Sequence, residues 1–155
     1  MANVKEQDII NKLATHFASI SGIQNAYPFA QNPNSLNQAQ LPAVVFFPES
    51  FDSDHTGHPG LFTNKITIKA LVFIAPMQSR GGRLKFLENE AMPYLQKIRN
   101  TFQTRSVVND LLSLGLTKAW LSRGVYGAGG NLLSFNRISY IGVVCDFNFF
   151  EKTGC

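Results

Sequence analysis

The sequence predicts an α+β domain: a mainly antiparallel sheet of about four or five strands with two principal helices packed on one face. Three observations predict it. The apolar residues change period along the chain, from helical spacing to alternation, back to helical spacing, and to alternation again at the end. The 155 residues show no internal repeat and no linker-like stretch, so residues 1–155 read as a single domain. Apolar residues make up 45% of the chain, enough for a core that needs no disulfide or metal.

The first helix is expected over Lys5–Ile20. Ile9, Leu13, Phe17 and Ile20 fall on one stripe, widened by Ile10. Asn3 is placed to cap it, with Glu6 at capping-box spacing, and Ser21-Gly22 ends it. His16 lies beside the stripe and reads as a partly covered structural histidine rather than a ligand or base. A short extended piece, Ile23–Phe29, precedes the Asn/Gln-rich stretch Gln31–Gln40, which reads as a loop.

Pro42–Pro48 is a strand bracketed by prolines, which places it near a sheet edge or keeps it short, because proline cannot donate to a ladder. Glu49–Gly60 reads as a polar excursion. Thr63–Ile74 is the clearest strand: Ile66, Ile68, Ala70, Val72 and Ile74 share one face, while Lys65, Thr67 and Lys69 share the other. The two strands suggest a long hairpin with the excursion at its tip.

Ala75–Gly82 reads as a turn. The second helical region is expected over Arg83–Phe102, with Leu84, Leu87, Ala91, Tyr94, Leu95, Ile98 and Phe102 as its stripe. Pro93 inside it predicts a kink, or two short helices with Pro93 in the first turn of the second. Val107–Leu112 has room for one more helical turn. Leu116–Tyr126 reads as a strand, Gly127–Asn131 as a flexible turn and Arg137–Glu151 as the last and longest strand.

That last strand bears on function. Ile138, Tyr140 and Val144 point one way; Ile141, Val143, Cys145, Phe147 and Phe149 point the other. A sheet with one wet face should alternate apolar and polar residues. Here both faces are apolar over much of the strand, so a second cover is expected. It is either an internal layer or a neighbouring subunit, and the reading favours the neighbour, with Ile141, Val143, Phe147 and Phe149 as subunit-interface candidates and Gly124–Phe135 as an arm between subunits. Charged residues are only 15% of the chain, well below the ~25% of an ordinary soluble domain, which also hints at assembly.

The chemistry-bearing residues are few. Asp52, Asp54, His55 and His58 have metal-ligand types but read as a solvated hairpin tip, and no metal or cofactor is expected. Gly127–Gly130 lacks the Gly-Lys-Ser/Thr and following helix of a phosphate cradle. Cys145, in an apolar run, reads as an inert buried thiol, and Cys155 as a frayed end. No catalytic constellation is found, so the chain is not expected to be an enzyme. The net charge of +4 is spread out; its densest group, Arg80, Arg83 and Lys85, reads as a solvated helix start or as a contact for phosphate or an acidic partner. The start MANVKEQDII is too polar for a signal peptide, and no apolar run has the length of a membrane span, so synthesis in the cytoplasm is expected.

Several strings, in their order, resemble the tail terminator proteins of long-tailed bacteriophages: IINKLATHF, LPAVVFFPES, KITIKALVFIA, GGRLKFLENEAMPYLQKIRNTF, AWLSRGVYGAGG and SYIGVVCDFNFFE. The resemblance covers nearly the whole chain, rests on order and length rather than a signature motif, and extends to neck and head–tail connector proteins. It implies a virion protein of the tail or neck: a ring of copies of itself, hexameric in the family, that ends growth of the tail tube. The implied partners are the tail tube protein on one side and a head or neck connector protein on the other. DNA passes through the hole without sequence-specific binding, so basic residues such as Arg80, Arg83 and Lys85 are expected to avoid the lumen. A small nucleic-acid-binding module is the competing class, favoured only by the positive charge.

Overall fold

The structure, a computed structural model, describes residues 5–27, 41–55, 60–76, 91–127, 133–135 and 138–153. Asn3, the Gln31–Gln40 stretch, His58, the Arg80/Arg83/Lys85 group, most of the Gly127–Asn131 turn and Cys155 lie outside these residues. The expected fold class is found: a mainly antiparallel sheet with helices on one face. In chain order the elements are α1 (Lys5–Ala18), β1 (Asn25–Tyr27), β2 (Ala43–His55), β3 (Phe62–Pro76), α2 (Met92–Phe102), α3 (Arg105–Leu112), β4 (Lys118–Gly127), β5 (Leu133–Phe135) and β6 (Ile138–Thr153).

The strands lie in the order β1-β2-β3-β6-β4. β1 is parallel to β2, and the other pairs are antiparallel. The last strand is thus inserted inside the sheet, between β3 and β4. It is the longest strand, and an interior place pairs both of its sides. β5 pairs with the start of β6, opposite β3 at Tyr140 and so in line with β4.

Register explains the core. Ile66, Ile68, Ala70 and Val72 of β3 stand opposite Phe149, Phe147, Cys145 and Val143 of β6. All eight are at most 1% exposed. Over them lie Ile9, Ile10, Leu13 and Phe17 of α1, Leu95, Ile98 and Phe102 of α2 and Leu111 of α3. Phe17 is the hub: its ring centroid is 4.9 Å from Phe102, 5.5 Å from Phe46 and 5.9 Å from Phe147, spacings typical of favourable aromatic pairs.

Local signals place the helix ends. α1 gives way to a turn in which Gly22 has φ +97°, a conformation open to glycine at little cost. α2 carries Pro93 in its first turn, where a missing N–H is harmless; the part of the expected helical region before Ala91 lies outside the described residues. α1 and α3 are latched together: Lys12 Nζ donates to Asp110 Oδ1 at 3.0 Å, and His16 Nε2 lies 2.8 Å from Asp110 Oδ2. His16 is therefore a structural histidine.

Two expectations are corrected. The excursion after Pro48 is largely strand: β2 runs through Pro48 to His55 and stays paired with β3. Past β1 it is an edge strand, where proline is tolerated, and a bulge between Pro48 and Ser50 absorbs the irregularity. The interface candidates Ile141, Val143, Phe147 and Phe149 are core residues, at 1%, 0%, 0% and 0% exposure. The chain's own helices cover them, so they offer nothing to a neighbour.

Candidate interaction surface

The sheet face turned away from the helices divides into three zones. At one end Leu41, Ala43, Val45, Phe73 and Tyr140 form a second small core, with Tyr27, Leu71 and Val144 packed against it. Tyr140 is 1% exposed and its ring meets Phe73 at 5.2 Å, edge to face. The apolar second face of β6 is thus closed at this end within the single chain, by the internal layer rather than the favoured neighbour.

The middle zone is a polar belt. Lys69 Nζ lies 3.3 Å from Glu49 Oε1 and 4.0 Å from Asp146 Oδ1. Asp146 Oδ1 is buried with no hydrogen bond among the described residues. Thr67 Oγ1 donates to Asn148 Oδ1 at 3.0 Å. At the far end the Trp120 indole stacks on Phe150, 5.3 Å apart and 7° from parallel, and Trp120 remains 39% exposed.

The two margins of the sheet carry further exposed side chains. On the β2 margin Phe47 and Phe51 are exposed, and Phe62 opposite His55 is exposed near the hairpin end. The bulge sends Phe47 to the outer face and Phe51 to the helix side. A cleft of about 370 Å³ separates this margin from the first turns of α1, lined by Glu6, Ile10, Pro48, Glu49 and Phe51. Beside it the hairpin is held by polar contacts. Ser53 Oγ donates to the buried Asn64 Oδ1 at 2.7 Å, and Lys5 Nζ reaches Leu114 O at 2.5 Å and Glu151 Oε2 at 3.8 Å.

On the opposite margin, β4 bulges between Leu121 and Arg123. A cleft of about 350 Å³ lies between it and α2, lined by Leu95, Arg99, Leu121, Arg123 and Gly124. Gly124 permits the approach: a Cβ there would sit 2.7 Å from Leu95 Cδ1. Arg99 and Arg123 form no ion pair among the described residues.

The two margins differ in charge. β2 contains Glu49, Asp52 and Asp54 and no Lys or Arg; β4 contains Lys118 and Arg123 and no acid. Beyond Val45 of β2, and along the outer side of β4, no described strand continues the sheet.

The chemistry-bearing residues of the sequence do not converge. Asp52 and Asp54 point to the outer face and His55 to the other, as alternation along a strand requires. Among the described residues no group of three or more His, Cys, Asp or Glu is placed to hold a metal. Burial, and then the neighbouring Asp146 charge, pushes the Cys145 thiol up to about 12, which keeps it from acting as a nucleophile at neutral pH. Among the described residues no helix is long and apolar enough to cross a membrane. No family model matches the chain, and no curated protein matches its sequence.

Proposed function

We propose that this chain is a structural subunit of a phage tail, a tail-terminator-like protein. It assembles with its own copies into a ring at the head-proximal end of the tail tube, stops tube growth and presents the docking surface for the head or neck. One observation carries the assembly part: of the five exposed large hydrophobic residues among those described, Phe47, Phe51 and Trp120 lie on β2 and β4, at the open margins of the sheet, and Phe62 lies at the hairpin end. Each such side chain left in water forgoes about 1.5–3 kcal/mol of burial. Aromatic residues beside unpaired strand edges mark a surface made to be covered. The sequence resemblance to tail terminators supplies the kind of assembly, and head–tail connectors or other neck proteins would use such a surface in the same way. The work done is binding, and DNA passes through the ring without being read.

One observation favours a second reading. The Arg99 and Arg123 side chains beside the β4 cleft offer positive charge that no described residue pairs and that a nucleic-acid module would use.

Native mass in solution, with and without the cognate tail tube protein, tests the proposal. A ring alone, or a monomer that becomes a ring on tube ends, is expected. A chain that ignores the tubes and shifts oligonucleotides in a gel with steep salt dependence would replace the first reading by the second.

A further inference from the structure

We infer that the copies join edge to edge, the β2 margin of one chain against the β4 margin of the next, so that the sheet continues from subunit to subunit. The inference rests on the ring reading and specifies its contact.

Strand direction is the first support. β2 is antiparallel to β3, β3 to β6 and β6 to β4, so the two margins of one chain run in opposite directions. A copy displaced sideways in the plane of the sheet therefore brings its β4 antiparallel to β2, with its helices on the same face. No inversion of the neighbour is needed. The contact is head-to-tail, the kind that makes a ring when the rotation between copies closes. The right-handed twist of a sheet supplies a rotation at each step.

Charge in register is the second. Across the sheet, Asp52 stands beside Lys65, Lys65 beside Phe150, and Phe150 beside Lys118. A sidewise copy with no stagger thus places its Lys118 opposite Asp52. One level further, Ser50 comes opposite Trp120, and beyond the two bulges Phe47 comes opposite Arg123 by the same reading. Opposite charges directly across a strand pair stabilise it, and like charges destabilise it. A margin with three acids and no Lys or Arg would repel its own kind and attract the β4 margin.

The bulges and Pro48 set the length of the joint. They break the ladder pattern at Pro48/Ser50 and at Leu121/Arg123, so the new pairing is confined to short segments such as Ser50–Asp52 against Lys118–Trp120. Short, interrupted edges also guard against indiscriminate pairing.

A cysteine pair tests the register. Within one chain, positions 52 and 118 are three strand spacings apart, about 14 Å, too far for a disulfide. In a Cys155→Ser background, the double variant Asp52→Cys/Lys118→Cys is expected to give a ladder of cross-linked multimers on oxidation, ending at the ring number. Each single variant should give no species beyond a dimer. The charge arm uses Asp52→Lys and Lys118→Asp. Each alone should lower self-association by about an order of magnitude, and the two together should restore it. Edge pairing is overturned if the wild-type chain forms rings while the cysteine pair gives no ladder and the combined charge swap is no better than its parts; the ring reading then stands. A wild-type chain that stays monomeric both alone and on cognate tail tubes removes both.

Discussion

Asp110 shows how a single carboxylate ties two helices. The hydrogen bond from Lys12, then that from His16, holds its carboxyl below the ordinary value of 3.8. A depressed folded-state value means the stabilisation is fully present above the ordinary carboxylate value and is lost as pH falls through the folded one. The side chain is 43% exposed, so solvent screens the pair and the contribution is about 1 kcal/mol or less. Asp110→Asn should lower the urea midpoint slightly at neutral pH, and the difference from wild type should vanish in acid. Phe147 lies at the other extreme. With no exposure and rings of Phe17, Phe102 and Phe149 around it, Phe147→Ala should cost about 3–5 kcal/mol in urea unfolding. A loss of assembly with stability intact would return Phe147 to the surface role that the sequence reading gave it.

Among elements, the approach of α2 to β4 depends on Gly124. Gly124→Ala should destabilise by about 1 kcal/mol, because Leu95 must swing away, and the cost should disappear in a Leu95→Ala background. Thermal unfolding of the four members of that cycle measures it. The same scale shows what could be read from the sequence. Period-2 alternation sorts the side chains from Tyr140 to Phe149 into two faces correctly, since that depends only on the pleat. Which face receives the helices depends on where α1 and α2 land, and nothing local to residues 138–153 encodes it. Hence the pattern alone leaves Phe147 and Phe149 as interface candidates. The cover over Tyr140 comes partly from Leu41 and Phe73, remote in sequence. The full length of β2 is not legible because Pro48 breaks a ladder in a central strand but not at an edge, and edge status emerges only from the assembled order. The pattern does not single out the exposed aromatics at 47, 51 and 120, because a bulge changes which face a residue joins and its position is not visible in the sequence.

For the whole molecule, the division of charge between the two margins matters more than the net +4. A chain acidic along one edge and basic along the other is polar in the plane of its sheet, and polarity of that sort favours directional growth over symmetric pairing. The stacked Trp120–Phe150 pair has a practical consequence. Trp120 is the chain's single tryptophan, and it sits half in water at the level where the β4 margin meets whatever covers it. Its fluorescence is therefore a natural dye attached at one defined seam. Emission should move to shorter wavelength as copies associate, in step with the mass change, while the wild-type core gives no competing indole signal. An emission maximum that stays fixed through assembly would mean that this seam stays wet.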